Sequence, residues 1–440
     1  MATLRVPLDV VCPRRAIDGY TSTATSKPYF TQLLTPLASP HHLLALCDSP
    51  GLVLFDKTRL AAPVQSIQVP SAEALTAVQN TEAAHAAWLA ASRGGFVALW
   101  DARANETAPS MQFAGPSNAP YLSLATSGQY FAAGTELKAS DAYIDLWDVR
   151  QMGAPVCTYA EAHSDDVMSL CFHPERERHE GVLLSGGMDG LVCAIDTRLT
   201  EEEDAVISVG NTNASLARVG WAAMPPDYAY TPRIAAVNID MDEKDTALCS
   251  DPRRTRLGPV HAVSNMQTLS LWDADKFDCL VESADVRAPT SFRPPWVSDY
   301  VIDAWAQGPG LAELAHHAAG LGLWVGDQEG GFALVTAVAD ASPNGSALDW
   351  TLRARIPSAE KSARAHADIV RSVLWDDVSQ RLFTGGEDGQ VLAWALENAP
   401  DGGEEPLSTS TNAPSHAAGG GRSRSRGGSA GLRRRFAPYA

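Results

Sequence analysis

The stretch that decides the fold is His366-Ala-Asp-Ile-Val-Arg-Ser-Val-Leu-Trp375, followed by Leu382-Phe-Thr-Gly-Gly-Glu-Asp-Gly389 and by Val391-Leu-Ala-Trp394. Three short runs rich in branched and aromatic residues, broken by Gly and Asp, read as consecutive β-strands. Asp388-Gly389 supplies a tight hairpin turn between the second and third. His366, Thr384, Asp388 and Trp394 fall where one hydrogen-bond chain ties all three strands together. A buried polar chain of this kind helps a fold only when nearly every member is satisfied.

The same pattern stands earlier as His163-Ser-Asp-Asp-Val-Met-Ser-Leu-Cys-Phe172, then Leu183-Leu-Ser-Gly-Gly-Met-Asp-Gly190, then Val192–Asp196. Here His163, Ser185 and Asp189 repeat the polar set, and Ile195 stands in place of the Trp. Leu-Trp-Asp occurs at 99–101, 146–148 and 271–273, each time closing an alternating segment such as Tyr143-Ile-Asp-Leu-Trp147. Weaker versions are Leu54-Phe55-Asp56 and Ala194-Ile195-Asp196. The closing aspartates, at 56, 101, 148, 196 and 273, are spaced by 45, 47, 48 and 77 residues. The first three spacings match the ~40–45-residue period of a four-stranded propeller blade. The long step reads as one blade, the fifth, carrying an insertion at about 223–258. Two further units run through Tyr300–Ile356 and His366–Leu396, making seven.

On these residues the chain resembles the WD-repeat (β-transducin-like) family, fully in two units and partially in five. The resemblance implies an all-β, seven-bladed WD-repeat β-propeller. The expected organisation is a propeller over residues 1–397 and a disordered Gly/Ser/Arg-rich tail over 398–440, a composition that cannot bury a core. The last unit has three strands of its own, so an N-terminal strand is expected to close the ring. The alternating segment Leu4–Val11 is the expected strand, with Pro7 suiting an outer edge.

In this family, residues flanking the Val of His-x-x-x-Val, and the residue before the turn Asp, often contact partners on the narrower face of the disc. The matching positions are Asp166, Met168 and Met188 in one unit, and Ile369, Arg371 and Glu387 in the last. Methionine, isoleucine and arginine are types that partner surfaces favour. A second feature is Trp100-Asp-Ala-Arg103 followed by Trp147-Asp-Val-Arg150, similar to the box of substrate receptors for cullin-4 ubiquitin ligases. There Arg103 and Arg150 would dock the adaptor.

Composition narrows the function classes. Apolar residues make up 45% and charged residues 20% of the 440, which is ordinary for a folded protein. The sequence has no apolar run of membrane-spanning length and no secretory signal, so a membrane partner is not expected. The seven cysteines lack Cys-x-x-Cys spacing and read as thiols of a reducing compartment, cytoplasm or nucleus. The net charge is −18, yet the six arginines after residue 416 meet no acid there, so residues 1–416 hold 28 basic and 52 acidic residues, a net of −24. Such a body repels phosphate, and nucleic-acid contact is expected only weakly, through the Arg-rich tail. No metal-ligand spacing, phosphate loop or nucleophile turn is present, and no cofactor is expected. The sequence reading is a non-enzymatic protein-interaction scaffold, a monomeric propeller within a complex. A cullin-4 substrate receptor is the alternative, and a propeller enzyme the remoter one.

Overall fold

The computed structural model describes residues 16–24, 27–48, 51–69, 74–82, 87–101, 108–151, 153–222, 257–287, 296–305, 320–339, 348–360 and 364–395. They form seven four-stranded antiparallel sheets arranged as the blades of a propeller. Blade 1 runs from Phe30–Leu34 through His42–Cys47 and Gly51–Asp56 to Gln65–Gln68. Blades 2 to 6 begin at the inner strands Leu75–Thr81, Tyr121–Ser127, Val167–Phe172, Leu216–Trp221 and Tyr300–Trp305. Blade 7 contains Val370–Asp376, Arg381–Gly386 and Gln390–Ala395. The repeating aspartates 56, 101, 148, 196 and 273 each end the third strand of their blade.

A blade has neighbours on both faces, so its middle strands are apolar on both faces. His42–Cys47 is buried at every position after the first. The apolar cores accordingly lie between blades, one at each of the seven junctions. Between blades 1 and 2, Leu44 and Leu52 meet Trp88 and Trp100. Between blades 7 and 1, Phe383 and Val391 meet Phe30 and Phe55.

The fourth strand of blade 7 is Asp18–Thr21, paired with the third through Asp18↔Ala393 and Thr21↔Gln390. An N-terminal strand therefore closes the ring, but Leu4–Val11 is not the strand seen. That segment lies outside the described residues, and the edge of Gln390–Ala395 is already taken. Two packing features set the pairing. Tyr20 lies against Phe30 and Phe55 of blade 1, with ring centroids 6.2 and 5.1 Å away. Gly19 passes so close to Leu392 that an added Cβ would sit 2.5 Å from its Cδ2. In blade 5 the first two strands pair from Leu216↔Ser264 to Trp221↔Val260. Most of the long connection between them, 223–256, lies outside the described residues, as does the tail from residue 396.

The inner strands are also stitched to one another around the whole ring by polar side chains. Leu33 N–H donates to Ser372 Oγ (2.9 Å) between blades 7 and 1. The Gln32 amide brackets Val78, donating to its carbonyl and accepting its N–H, each at 2.9 Å. Thr76 Oγ1 donates to the Tyr121 carbonyl (2.7 Å), and Ser123 Oγ to that of Val167 (2.8 Å). Val219 N–H donates to Ser169 Oγ (3.1 Å), Arg218 pairs with Asp303 (3.0 Å), and Val370 N–H donates to the Tyr300 hydroxyl (2.8 Å). Each tie satisfies groups that the sheet ladders leave over.

Candidate interaction face

Two polar chains fix the loops at one end of blades 4 and 7. In blade 7, Trp394 Nε1–H donates to Thr384 Oγ1 (2.9 Å), and Thr384 bonds His366 Nε2 (2.8 Å). His366 Nδ1 lies 3.1 Å from both Asp388 oxygens. Indole can only donate, so the hydroxyl proton goes to Nε2 and the imidazole carries its own on Nδ1. Asp388 also accepts the Ala367 and Gln390 amides. Burial pushes its carboxyl up, but the His366 bond and the two amides outweigh that and hold it below the ordinary carboxylate range. In blade 4, His163 meets Asp189 (3.2 Å) and Ser185 (2.8 Å), and the chain stops there because Ile195 has no donor.

Other blades reach the same turn by other means. Ser92, Thr135 and Ser264 occupy the position of Gly187 and Gly386, and each hydroxyl accepts a backbone N–H of its own hairpin, from Gly94, Tyr143 and Met266. Sequence reading missed these three, because single hydroxyls carry no spacing signal. In blade 3, Ala133 stands where Thr384 stands in blade 7, and Trp147 Nε1 is buried without a hydrogen-bond partner.

The loops so fixed share a recurring geometry. In six of the seven blades, the residue before the inner strand accepts the N–H that follows the second strand; Met188 N–H to Asp166 O and Glu387 N–H to Ile369 O, both 2.9 Å, are two examples. The next pairing step is irregular, leaving one residue bulged. Thr31, Thr76, Leu122, Met168, Ala217 and Arg371 are the bulged residues of those blades. A bulge turns a side chain out of the ladder.

All six residues singled out in the sequence lie on this entry face and are partly exposed. Two of the pairs they form are internal. Asp166 Oδ1 accepts Leu137 N–H of blade 3 (2.7 Å), and Arg371 Nε donates to Glu387 (2.6 Å). Met168, Met188 and Ile369 are left as apolar surface.

Arg150 is held by its own Asp148, with Nε 3.0 Å from Oδ1 and Nη2 2.6 Å from Oδ2. The same Asp-x-Arg clasp recurs at Asp196–Arg198 and Asp285–Arg287, without a Trp-Asp pair. It is therefore a local device at strand ends. Arg103 lies outside the described residues.

A small cavity of about 200 Å³ opens between the inner strands of blades 2, 3 and 4, lined by Gln79, Thr126, Cys171, His173 and Arg176 among others. Burial pushes the Cys171 thiol up to about 11, so it is protonated near neutral pH. His173 donates from Nε2 to the Leu257 carbonyl (2.9 Å) and accepts Glu175 N–H at Nδ1 (3.1 Å). Both nitrogens are thus committed to backbone, which is a structural role. Among the described residues, no three His, Cys, Asp or Glu side chains converge as a metal site.

Comparison with known proteins places these features. The WD40 repeat (WD domain, G-beta repeat) matches residues 153–196 and 359–395, the stretches containing most of blade 4 and of blade 7. An uncharacterized WD repeat-containing protein of Saccharomyces cerevisiae is 30% identical over 219 residues, 49% of this chain and 44% of the relative. One of Schizosaccharomyces pombe is 35% identical over 128 residues, 28% and 38% of the two chains. The WD repeat-containing protein 89 homolog of Dictyostelium discoideum is 22% identical over 234 residues, 53% and 50%. The chain thus spans half or less of the length of these curated relatives. A chain of the crystal structure of the mitotic checkpoint complex superposes with a TM-score of 0.57 at 14% identity, covering 90% of this chain and 96% of that one, a likeness of fold. The chain carries WD40 repeats on a seven-bladed β-propeller, and its relatives are WD repeat-containing proteins.

Proposed function

We propose that the chain is a protein-interaction scaffold that presents its entry face to a partner polypeptide. The observation that carries this reading is the repeated bulge. Six blades hold one backbone geometry at that position, and they display six side chains of five different kinds on it. A frame that is constant while its displayed groups vary suits recognition, because loops already fixed by hydrogen bonds lose little freedom on binding. The reading is non-enzymatic. In the cavity between blades 2 and 4, the thiol is protonated and the histidine is bonded to backbone at both nitrogens.

The test is quantitative affinity purification of the full chain against a Met168→Asp variant. Met168 is bulged and partly exposed, so the variant should melt with the parent and lose one or more partners. A folded variant with the parent's full set of partners overturns the reading.

A further inference from the structure

The entry face is chemically divided. Over blades 3 to 5 it presents apolar side chains, Leu122 and Met168 at bulges and Leu137, Met188 and Met266 at the adjoining hairpins, alongside the polar Glu136, Lys138, Asp165 and Asp166. Leu137 is 38% exposed and Met266 is 62% exposed, so this band is open to solvent. Across the junction of blades 3 and 4 the loops are tied together, because Leu137 N–H is bonded to Asp166. Methionine is unbranched and polarizable, and adapts to side chains of varied shape.

Over blades 6 and 7 the same face is acidic, carrying Asp299, Asp327, Glu329, Asp368 and Glu387. Gln328 N–H donates to Asp299 and Glu329 N–H to Asp327, which puts three of these carboxylates on one loop pair. Burial, the charge of Glu329 and that of Asp299 all push the Asp327 carboxyl up. Lys27 beside Gly389, Arg287, Arg364 and Arg371 are cations among the described residues of this sector, and Arg287 and Arg371 are already paired, with Asp285 and Glu387. Among the described residues, acids thus outnumber cations in this sector, beside the apolar side chains of blades 3 to 5.

Building on the scaffold reading, we infer that this face takes a polypeptide segment combining apolar anchors with lysine or arginine. The apolar side chains would sit on Leu137, Met188 and Met266, and the basic ones toward Asp299, Asp327 and Glu329. Such charge complementarity sets orientation and on-rate more than affinity, whereas the desolvated apolar anchors carry the affinity. A nucleic acid or an anionic lipid surface has the wrong sign for this face.

The test uses the full chain as bait for a phage-displayed random 15-residue peptide library, with the enriched peptides then synthesised and titrated by fluorescence anisotropy. The enriched set should carry net positive charge together with at least two large apolar residues. Met188→Asp with Met266→Asp should weaken binding by about tenfold or more. Asp327→Asn with Glu329→Gln should slow association and flatten its salt dependence. Met266→Asp alone serves if the double variant melts early, since Met266 is mostly solvent-exposed. Neutral or acidic peptides that still depend on the methionines overturn the basic-segment inference and leave the entry-face reading standing. Peptides indifferent to the methionine variants overturn both. No enrichment above bare support overturns the inference.

Discussion

Lys57→Met should expose how the first and last blades are held together. Lys57 Nζ lies 2.5 Å from Asp376 Oδ1 across that junction and donates to Thr35 Oγ1 at 2.8 Å. The two ion-pair side chains are 4% and 6% exposed, so neither charge has water to fall back on. Methionine keeps most of the stem and removes the charge. Asp376 is then left in an apolar seam with only Ser379 N–H and O–H on its Oδ2. Breaking one side of a buried pair costs about 3–5 kcal/mol, most of it the uncompensated partner. Urea unfolding followed by tryptophan fluorescence measures this at pH 7 and again toward pH 4. In the parent, burial pushes the Asp376 carboxyl up, but the bonds from Lys57 and Ser379 prevail and hold it below the ordinary range. A carboxyl depressed in the folded state stabilises above the unfolded pKa, and that contribution is lost as pH falls through the folded value. Without Lys57 the carboxyl takes up a proton more readily, which relieves the buried charge. The deficit should therefore be full at pH 7 and shrink toward pH 4. Adding Asp376→Leu should restore most of the loss, because replacing both members of such a pair by apolar groups is often neutral or better. A single variant within about 0.5 kcal/mol of the parent at pH 7, or a deficit that does not change with pH, would show that the buried pair does not hold this junction.

Asp388→Ala should destabilise by about 1–3 kcal/mol in calorimetric melts, and Asp189→Ala should fall at the low end, because the blade 4 chain ends at Ser185. Equal losses would show that the Trp394 link adds nothing. Ala133→Ser should raise stability by about 0.5–1.5 kcal/mol by giving Trp147 Nε1 an acceptor; a lower melting temperature would show that the junction lacks room for the hydroxyl. His261 is pushed down to about 4, by burial first and then by Arg218. Between that value and its ordinary 6.5 the unfolded chain binds a proton that the folded chain refuses, so stability falls on acidification, by about 2 kcal/mol at pH 5. His261→Leu should lose that slope, and equal slopes for parent and variant in urea titrations from pH 7 to 5 would count against it.

Much of the propeller was written in spacing. The aspartates at 56, 101, 148, 196 and 273 mark third-strand ends because the strand must stop where its turn begins. Tyr300–Ile356 was legible as a blade without Trp-Asp because apolar alternation survives there. The closing strand was not legible. Leu4–Val11 alternates and Asp-Gly-Tyr-Thr does not, yet a four-residue edge strand is placed by Tyr20 on Phe30 and Phe55 and by the Asp18 carboxylate on Leu60 N–H, contacts that leave no period. The ties between inner strands escaped for the same reason, since Gln32, Ser123 and Ser169 are unremarkable until their blades stand side by side. On the entry face, Met168 and Arg371 were found through the repeat. That Arg371 is taken up by Glu387, and Asp166 by Leu137, depends on rotamers that no spacing encodes.

The pairing of Asp18–Thr21 with Gln390–Ala395 has a consequence for how the protein is made. Thr21 and Gln390, which meet side by side, are 369 residues apart in the chain. At roughly 5–20 residues per second on the ribosome, the first of them waits on the order of 20–70 seconds for the second. Throughout that interval Phe30 and Phe55 have neither Phe383 nor Val391 to cover them, and Lys57 has no Asp376. The surface most in need of a chaperone during translation is therefore the side of blade 1 that awaits blade 7.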